Sequence, residues 1–184
     1  TGPWVLVGHS FGGYTMQMFA KQYAGEVAGL VLVDSSHPEQ SARLPERRRT
    51  RAATGYRRRL MSWPVVPPNF PFQARAIAAY LMHRPSAIRT QRHELAGFRT
   101  SGRQVAMAGM LPRVPVTVLS RGARVWPENE WGDRMEASWQ ALQSELGTPG
   151  APVRHVNAPF SGHYVHLDQP WLVEDAIRDI LRQA

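Results

Sequence analysis

The chain has 184 residues, 43% of them hydrophobic and 20% charged, with a formal net charge of +8 and no cysteine. That length and balance suit one globular domain with a sizeable core. The missing cysteines exclude disulfides, thiolate metal sites and a cysteine nucleophile. No apolar run approaches the roughly 18 residues of a membrane-crossing helix, so no membrane segment is expected within the chain; the location is left open, with the cytoplasm favoured and a targeting segment upstream of Thr1 still allowed. The positive charge is nearly all arginine, with Lys21 the one lysine, and eight arginines fall between Arg43 and Arg59. The run reads as a solvated helical face: no nucleic-acid-binding motif accompanies it and no aromatics are interleaved as stacking platforms. No nucleic-acid partner is expected.

In chain order, Trp4–Val7 is a short apolar run ending in glycine, as a buried parallel strand requires. Phe11–Tyr23 follows with apolar residues at helical spacing, and Val27–Val33 is a second buried strand ending at Asp34-Ser35-Ser36. The next segment, rich in Arg and Pro, has helical stretches near Arg47–Met61 and Ala74–Met82 around the breaker Val65-Val66-Pro67-Pro68. Val114–Leu119 and Pro152–Val156 are the third and fourth strands, and Trp171–Arg182 is a closing amphipathic helix with Pro170 in its first turn. Strands alternating with helices predict an α/β fold: a partial parallel sheet of about four strands with an inserted helical cap. The expected division is a core of residues 1–36 and 111–184 and a cap of residues 37–110.

Between the first strand and first helix stands Gly8-His9-Ser10-Phe11-Gly12-Gly13. A serine hydroxyl is a poor nucleophile and needs a base and an exposed position. Strand, sharp turn and helix supply the exposure, with glycines where side chains would collide. Ser10 is the expected nucleophile, and the Phe11 N–H, at the positive end of the helix, the expected oxyanion donor. His9 is assigned to substrate binding. The base should be a histidine late in the chain, and Ser161-Gly162-His163-Tyr164-Val165-His166 offers two. His163, directly after the glycine, is preferred; His166 is expected to pack beside the site. A metal shell from His155, His163 and His166 lacks carboxylate support, and no metal or cofactor is expected. Asp34, at the same sheet edge as Ser10, is one candidate for the acid that orients the base. Glu128, Glu130 and Asp133 are its competitors, and Asp168 reads as part of a helix start.

These segments, WVLVGHSFGG, VAGLVLVDSSHPE, VPVTVLSRG and SGHYVHLDQP in this order, resemble the α/β-hydrolase superfamily over nearly the whole chain. In most members the acid follows the strand matched here by Val114–Leu119, but Gly122-Ala123-Arg124 puts an arginine there. Some members place the acid one strand earlier, which also points to Asp34. The resemblance implies a serine hydrolase acting on a small-molecule carboxylic ester or related acyl substrate. It also implies a lid over the site, with Trp63, Phe70, Phe72 and Tyr80 as candidate pocket residues. About four further strands would precede the elbow, so the chain is expected to be a fragment, or one piece needing an N-terminal half or partner chain. The rival expectation is a non-catalytic protein of the same fold that only binds.

Overall fold

The computed structural model describes residues 2–46, 66–67, 69–147 and 151–183. The helix expected at Arg47–Met61, Trp63 and most of the arginine run lie outside the described residues.

Four strands form one parallel sheet in the order β1 (Trp4–His9), β2 (Val27–Val33), β3 (Val116–Arg121) and β4 (Val153–Ala158). Among the described residues the helices, in chain order, are α1 (Gly12–Gln22), α2 (Gln40–Arg43), α3 (Phe72–Met82), α4 (Pro85–Met107), α5 (Glu130–Ser144), α6 (Val165–Asp168) and α7 (Pro170–Leu181).

The two-residue alternation of strand side chains divides the core into two layers. Leu30 and Leu32 of β2, with Val116 and Val118 of β3, pack with Ala20 of α1 and with Leu111 and Leu146. Val31, Val33 and Leu119 point the other way, onto Ala176 and Ile180 of α7 and Val165 of α6. Both faces of β2 and β3 are therefore covered, which is why β2 reads as a continuous apolar run. Gly29 permits the close fit on the second face, since a Cβ there would lie 2.5 Å from Ile180 Cγ2.

Compactness divides the chain into two units, Thr1–Pro45 with Arg99–Ala184, and Glu46–Phe98. The first holds the whole sheet. The second contains α3 and the N-terminal part of α4, and α3 exposes Phe72, Ile77 and Tyr80.

β2 spans the expected residues, and β1 and β4 each run two residues further toward the carboxyl edge. β3 is shifted by two, from Val114–Leu119 to Val116–Arg121. Pro115 has no N–H for the ladder, so only its carbonyl takes part, accepting from Leu30 N. At the far end a charged residue stays in the strand because Arg121 is buried in ion pairs. Two long helices, α4 and α5, escaped the sequence reading. α5 has a clear start signal in Asn129, whose side chain accepts from Gly132 N–H at 2.9 Å. No helix among the described residues is long and apolar enough to cross a membrane.

Candidate active site

The carboxyl edge of the sheet gathers Ser10 after β1, Asp34 after β2, Arg121 at the end of β3 and His163 on the loop after β4. Ser10 and Asp34 both hold left-handed backbone conformations, with φ of 53° and 38°, at a cost of about 1 kcal/mol or more each for non-glycine residues. Tertiary hydrogen bonds enforce them: Ser10 N–H donates to Val33 O, Ser36 N–H donates to Ser10 O, and Asp34 N–H donates to Leu119 O.

The glycines around Ser10 divide the work unevenly. A Cβ on Gly8 would come within 3 Å of Gly13 Cα, Gly12 O and Met16 Cγ. One on Gly13 would fall 1.7 Å from Ser35 Oγ, whereas one on Gly12 would meet nothing within 4 Å. The close approach that the elbow demands thus falls on Gly8 and Gly13, and the glycine completing the G-x-S-x-G pattern faces open space. Phe11 occupies the cap position of α1, putting its N–H where the helix carries partial positive charge.

His163 bridges the other two groups. Its Nε2 lies 2.9 Å from Ser10 Oγ and its Nδ1 lies 2.6 Å from Asp34 Oδ2. Asp34 is fully buried. Burial alone would push its carboxyl up, but the His163 hydrogen bond, the Arg121 charge and the Trp139 indole outweigh burial and hold it below the usual carboxylate value. An ionised carboxylate only accepts, so Nδ1 carries the ring proton and donates to Asp34. Nε2 is then free to accept from the Ser10 hydroxyl.

Several contacts anchor the loop bearing His163. Asp168 accepts from Gly162 N–H at 2.9 Å, and Gln169 Oε1 accepts from Phe160 N–H and the Ser161 hydroxyl. His9 Nε2 donates to the backbone carbonyl of His163 at 2.7 Å. Burial, followed by the nearby His163, lowers the His9 pKa to about 4. The His166 ring lies 4.5 Å from that of His9, and burial lowers its pKa as well. Glu128, Glu130 and Asp133 are exposed; Glu130 pairs with Arg134 and Asp133 with Arg124.

The sequence reading missed the surroundings of Asp34. Arg121, only 1% exposed, reaches both carboxylate oxygens through Nη1 at 3.2 and 3.3 Å. Trp139 Nε1 donates to Oδ1 at 2.7 Å. The Arg121 guanidinium lies over the rings of Trp126 and Trp139, 4.4 and 5.0 Å from their centroids, and its Nη2 pairs with Glu136 at 3.0 Å. The segment after Asp34 is buried too, and side chains satisfy its carbonyls: Gln143 reaches Ser35 O, Gln17 reaches Ser36 O and Tyr14 reaches His37 O. The available signal was an arginine closing an otherwise uncharged strand, Val-Thr-Val-Leu-Ser-Arg, with Trp139 and Gln143 one helical turn apart. Among the described residues no group of three or more His, Asp or Glu is placed to hold a metal ion.

A family model described as "Alpha/beta hydrolase family" matches residues 1–174. No curated protein matches the sequence. Solved structures do. Cfl2 wild-type from Burkholderia cenocepacia superposes with a TM-score of 0.57 at 16% identity, over 96% of this chain and 64% of that one. The epoxide hydrolase CorEH gives 0.60 at 17% identity over 97% and 68%. NosK from Streptomyces actuosus gives 0.53 at 21% over 100% and 70%. The chain therefore spans about two thirds of the length of the structures it matches, and at these identities the likeness is one of fold.

Proposed function

The chain belongs to the α/β hydrolase family, and from that premise we propose that it carries the nucleophile, base and acid of a serine hydrolase acting on a carboxylic ester or related acyl substrate. The single observation that supports this reading is the continuous relay Ser10 Oγ–His163 Nε2 (2.9 Å) and His163 Nδ1–Asp34 Oδ2 (2.6 Å). Both distances lie within hydrogen-bond reach.

In the proposed reaction His163 Nε2 takes the Ser10 proton as Oγ attacks the substrate carbonyl carbon. The Phe11 N–H, at the start of α1, supports the negative charge that develops on the carbonyl oxygen. His163 returns the proton to the leaving alcohol, leaving an acyl ester on Ser10. Water, deprotonated by the same nitrogen, attacks the acyl carbon, and His163 returns that proton to Ser10 Oγ as the acid leaves. Asp34 stays ionised throughout, holding His163 in the Nδ1–H tautomer and stabilising its charged form. Serine at the elbow favours acyl transfer over the alkyl-enzyme chemistry that an aspartate would support. The structures of similar fold include a thioesterase domain from the curacin biosynthetic pathway and a serine hydrolase involved in carbazole degradation. Thioesters therefore join esters in the substrate panel.

The test is labelling of the full-length protein with a fluorophosphonate, alongside hydrolysis of p-nitrophenyl esters of graded chain length. Labelling that disappears in Ser10→Ala and in His163→Ala supports the proposal. Absence of both labelling and turnover in the folded, full-length protein overturns it in favour of a binding role.

A further inference from the structure

Asp34 carries a partner that an orienting carboxylate does not need. Its work on His163 requires one oxygen, Oδ2, and a donor such as the Trp139 indole suffices to fix the other. Yet a buried arginine also spans both oxygens. A positive charge there reduces the attraction between Asp34 and a protonated His163, so at first sight it opposes the acid's purpose. The opposition is incomplete because Arg121 is itself shared. Its Nη2 pairs with Glu136 Oε2 at 3.0 Å, while Glu136 Oε1 accepts from Val125 and Trp126 N–H at 2.8 and 3.0 Å. The result is a line of alternating charge, Glu136–Arg121–Asp34–His163, ending at Ser10.

We propose that Arg121 and Glu136 are positioning residues that hold Asp34 in register and together set how strongly it stabilises the protonated base. The inference rests on the reading of Ser10, His163 and Asp34 as the reacting relay.

Among the described residues, the groups facing this line can be named element by element. From β1 and its turn come His9 and Ser10, and from β3 comes Arg121. From α5 come Glu136 and Trp139; from the loop leading into α6 and from α6 itself come Tyr164 and His166, whose rings cluster with His9. The ion pairs in this set are Arg121 with Asp34 and Glu136, and His163 with Asp34. Neighbouring charges in a buried site act through a low effective dielectric and are weakly screened by salt. The two members of the pair should therefore act on the base with opposite sign. Removing the Glu136 charge leaves Arg121 uncompensated and disfavours the imidazolium. Removing the Arg121 charge leaves Asp34 stronger and favours it.

The experiment is the pH dependence of the fluorophosphonate labelling rate, a readout independent of the natural substrate, measured on the full-length protein. Glu136→Gln keeps an oxygen for the Val125 and Trp126 N–H groups. It is expected to move the acidic limb of the rate profile to lower pH by about 0.5 unit or more. Arg121→Met is expected to move it to higher pH, and Arg121→Lys to restore most of the wild-type profile. Should Arg121→Met fail to fold, Glu136→Gln decides alone. A Glu136→Gln profile superimposable on wild type overturns the inference, because a purely structural pair changes rate or stability without moving the limb. Labelling retained in Ser10→Ala would instead overturn the serine reading beneath it, and the two failures are told apart by that control.

Discussion

The ends of β1 and β2 make an instructive pair. Each leaves the sheet at its carboxyl edge, puts a non-glycine residue into the left-handed region and delivers one polar group to His163. They are built by opposite means. At the β1 end the side chains that must be small belong to neighbours in sequence, Gly8 and Gly13, with α1 beginning two residues after Ser10, and backbone hydrogen bonds with Val33 and Ser36 hold the turn. The β2 end is assembled from a distance. Its carboxylate is held by Arg121 and Trp139, and its following carbonyls by Tyr14, Gln17 and Gln143. A turn that must expose a nucleophile can rest on local steric permission. A buried anion has to be neutralised by groups that only the fold brings near.

That contrast can be tested at each end. The largest effect is expected at Ser10. Ser10→Ala should lower turnover by about 10⁴-fold or more without lowering the melting temperature, since the loss is of the nucleophile alone. At the β2 end, Asp34→Asn should reduce kcat by roughly 10⁴-fold through loss of the Nδ1–H tautomer. Unlike Ser10→Ala it should also destabilise the fold, because buried Arg121 loses one of its two anions and keeps only Glu136. Chemical denaturation of both variants separates the two cases.

The elbow glycines sharpen the local side of the comparison. Gly13→Ala is expected to cost about 2–3 kcal/mol by forcing a Cβ onto Ser35. Gly12→Ala should be neutral or should stabilise by up to about 1 kcal/mol, since its Cβ meets open space in a helix. Equal losses for the two in a thermal melt would contradict the packing described for the turn.

Acid stability separates the two ends by pH window. His9 has its pKa lowered from 6.5 to about 4 by burial and by His163. The unfolded chain therefore takes up a proton that the folded chain refuses, and stability falls as pH drops from 6.5 to about 4, by roughly 2 kcal/mol after allowance for solvent screening. The Asp34 carboxyl, depressed below 3.8, stabilises the fold fully above that value, and its contribution is lost only as pH falls further. A His9→Gln variant should have a shallower slope between pH 6.5 and 4, retaining the part that the buried His166 and His37 contribute, and should keep the decline below it. A variant whose slope in the upper window matches wild type would remove His9 as its source.

A small effect is expected for Trp139→Phe. Asp34 Oδ1 keeps Arg121, so about 1 kcal/mol of stability and a modest fall in kcat should follow the loss of one neutral donor. A loss as large as that of Asp34→Asn would mean that the indole, not the ion pair, holds the acid.

By itself the sequence determined the parallel α/β architecture, the elbow around Ser10 and the order in which the candidate groups occur along the chain. These rest on period, on glycine placement and on strand-to-helix junctions, all of which act over a few residues. It also favoured His163 over His166 from its place after Gly162, and Asp34 over its acidic competitors from its sheet-edge position together with the family resemblance. Only the tertiary structure decided what surrounds the acid. Arg121, Glu136 and Trp139 stand 87 to 105 residues from Asp34, and nothing local marks them as its partners. It likewise decided that Gly13 rather than Gly12 carries the close packing, and that His9 Nε2 is engaged by the His163 backbone. Local sterics can be read from adjacent residues, whereas compensation of a buried charge depends on which distant strands and helices the core brings together.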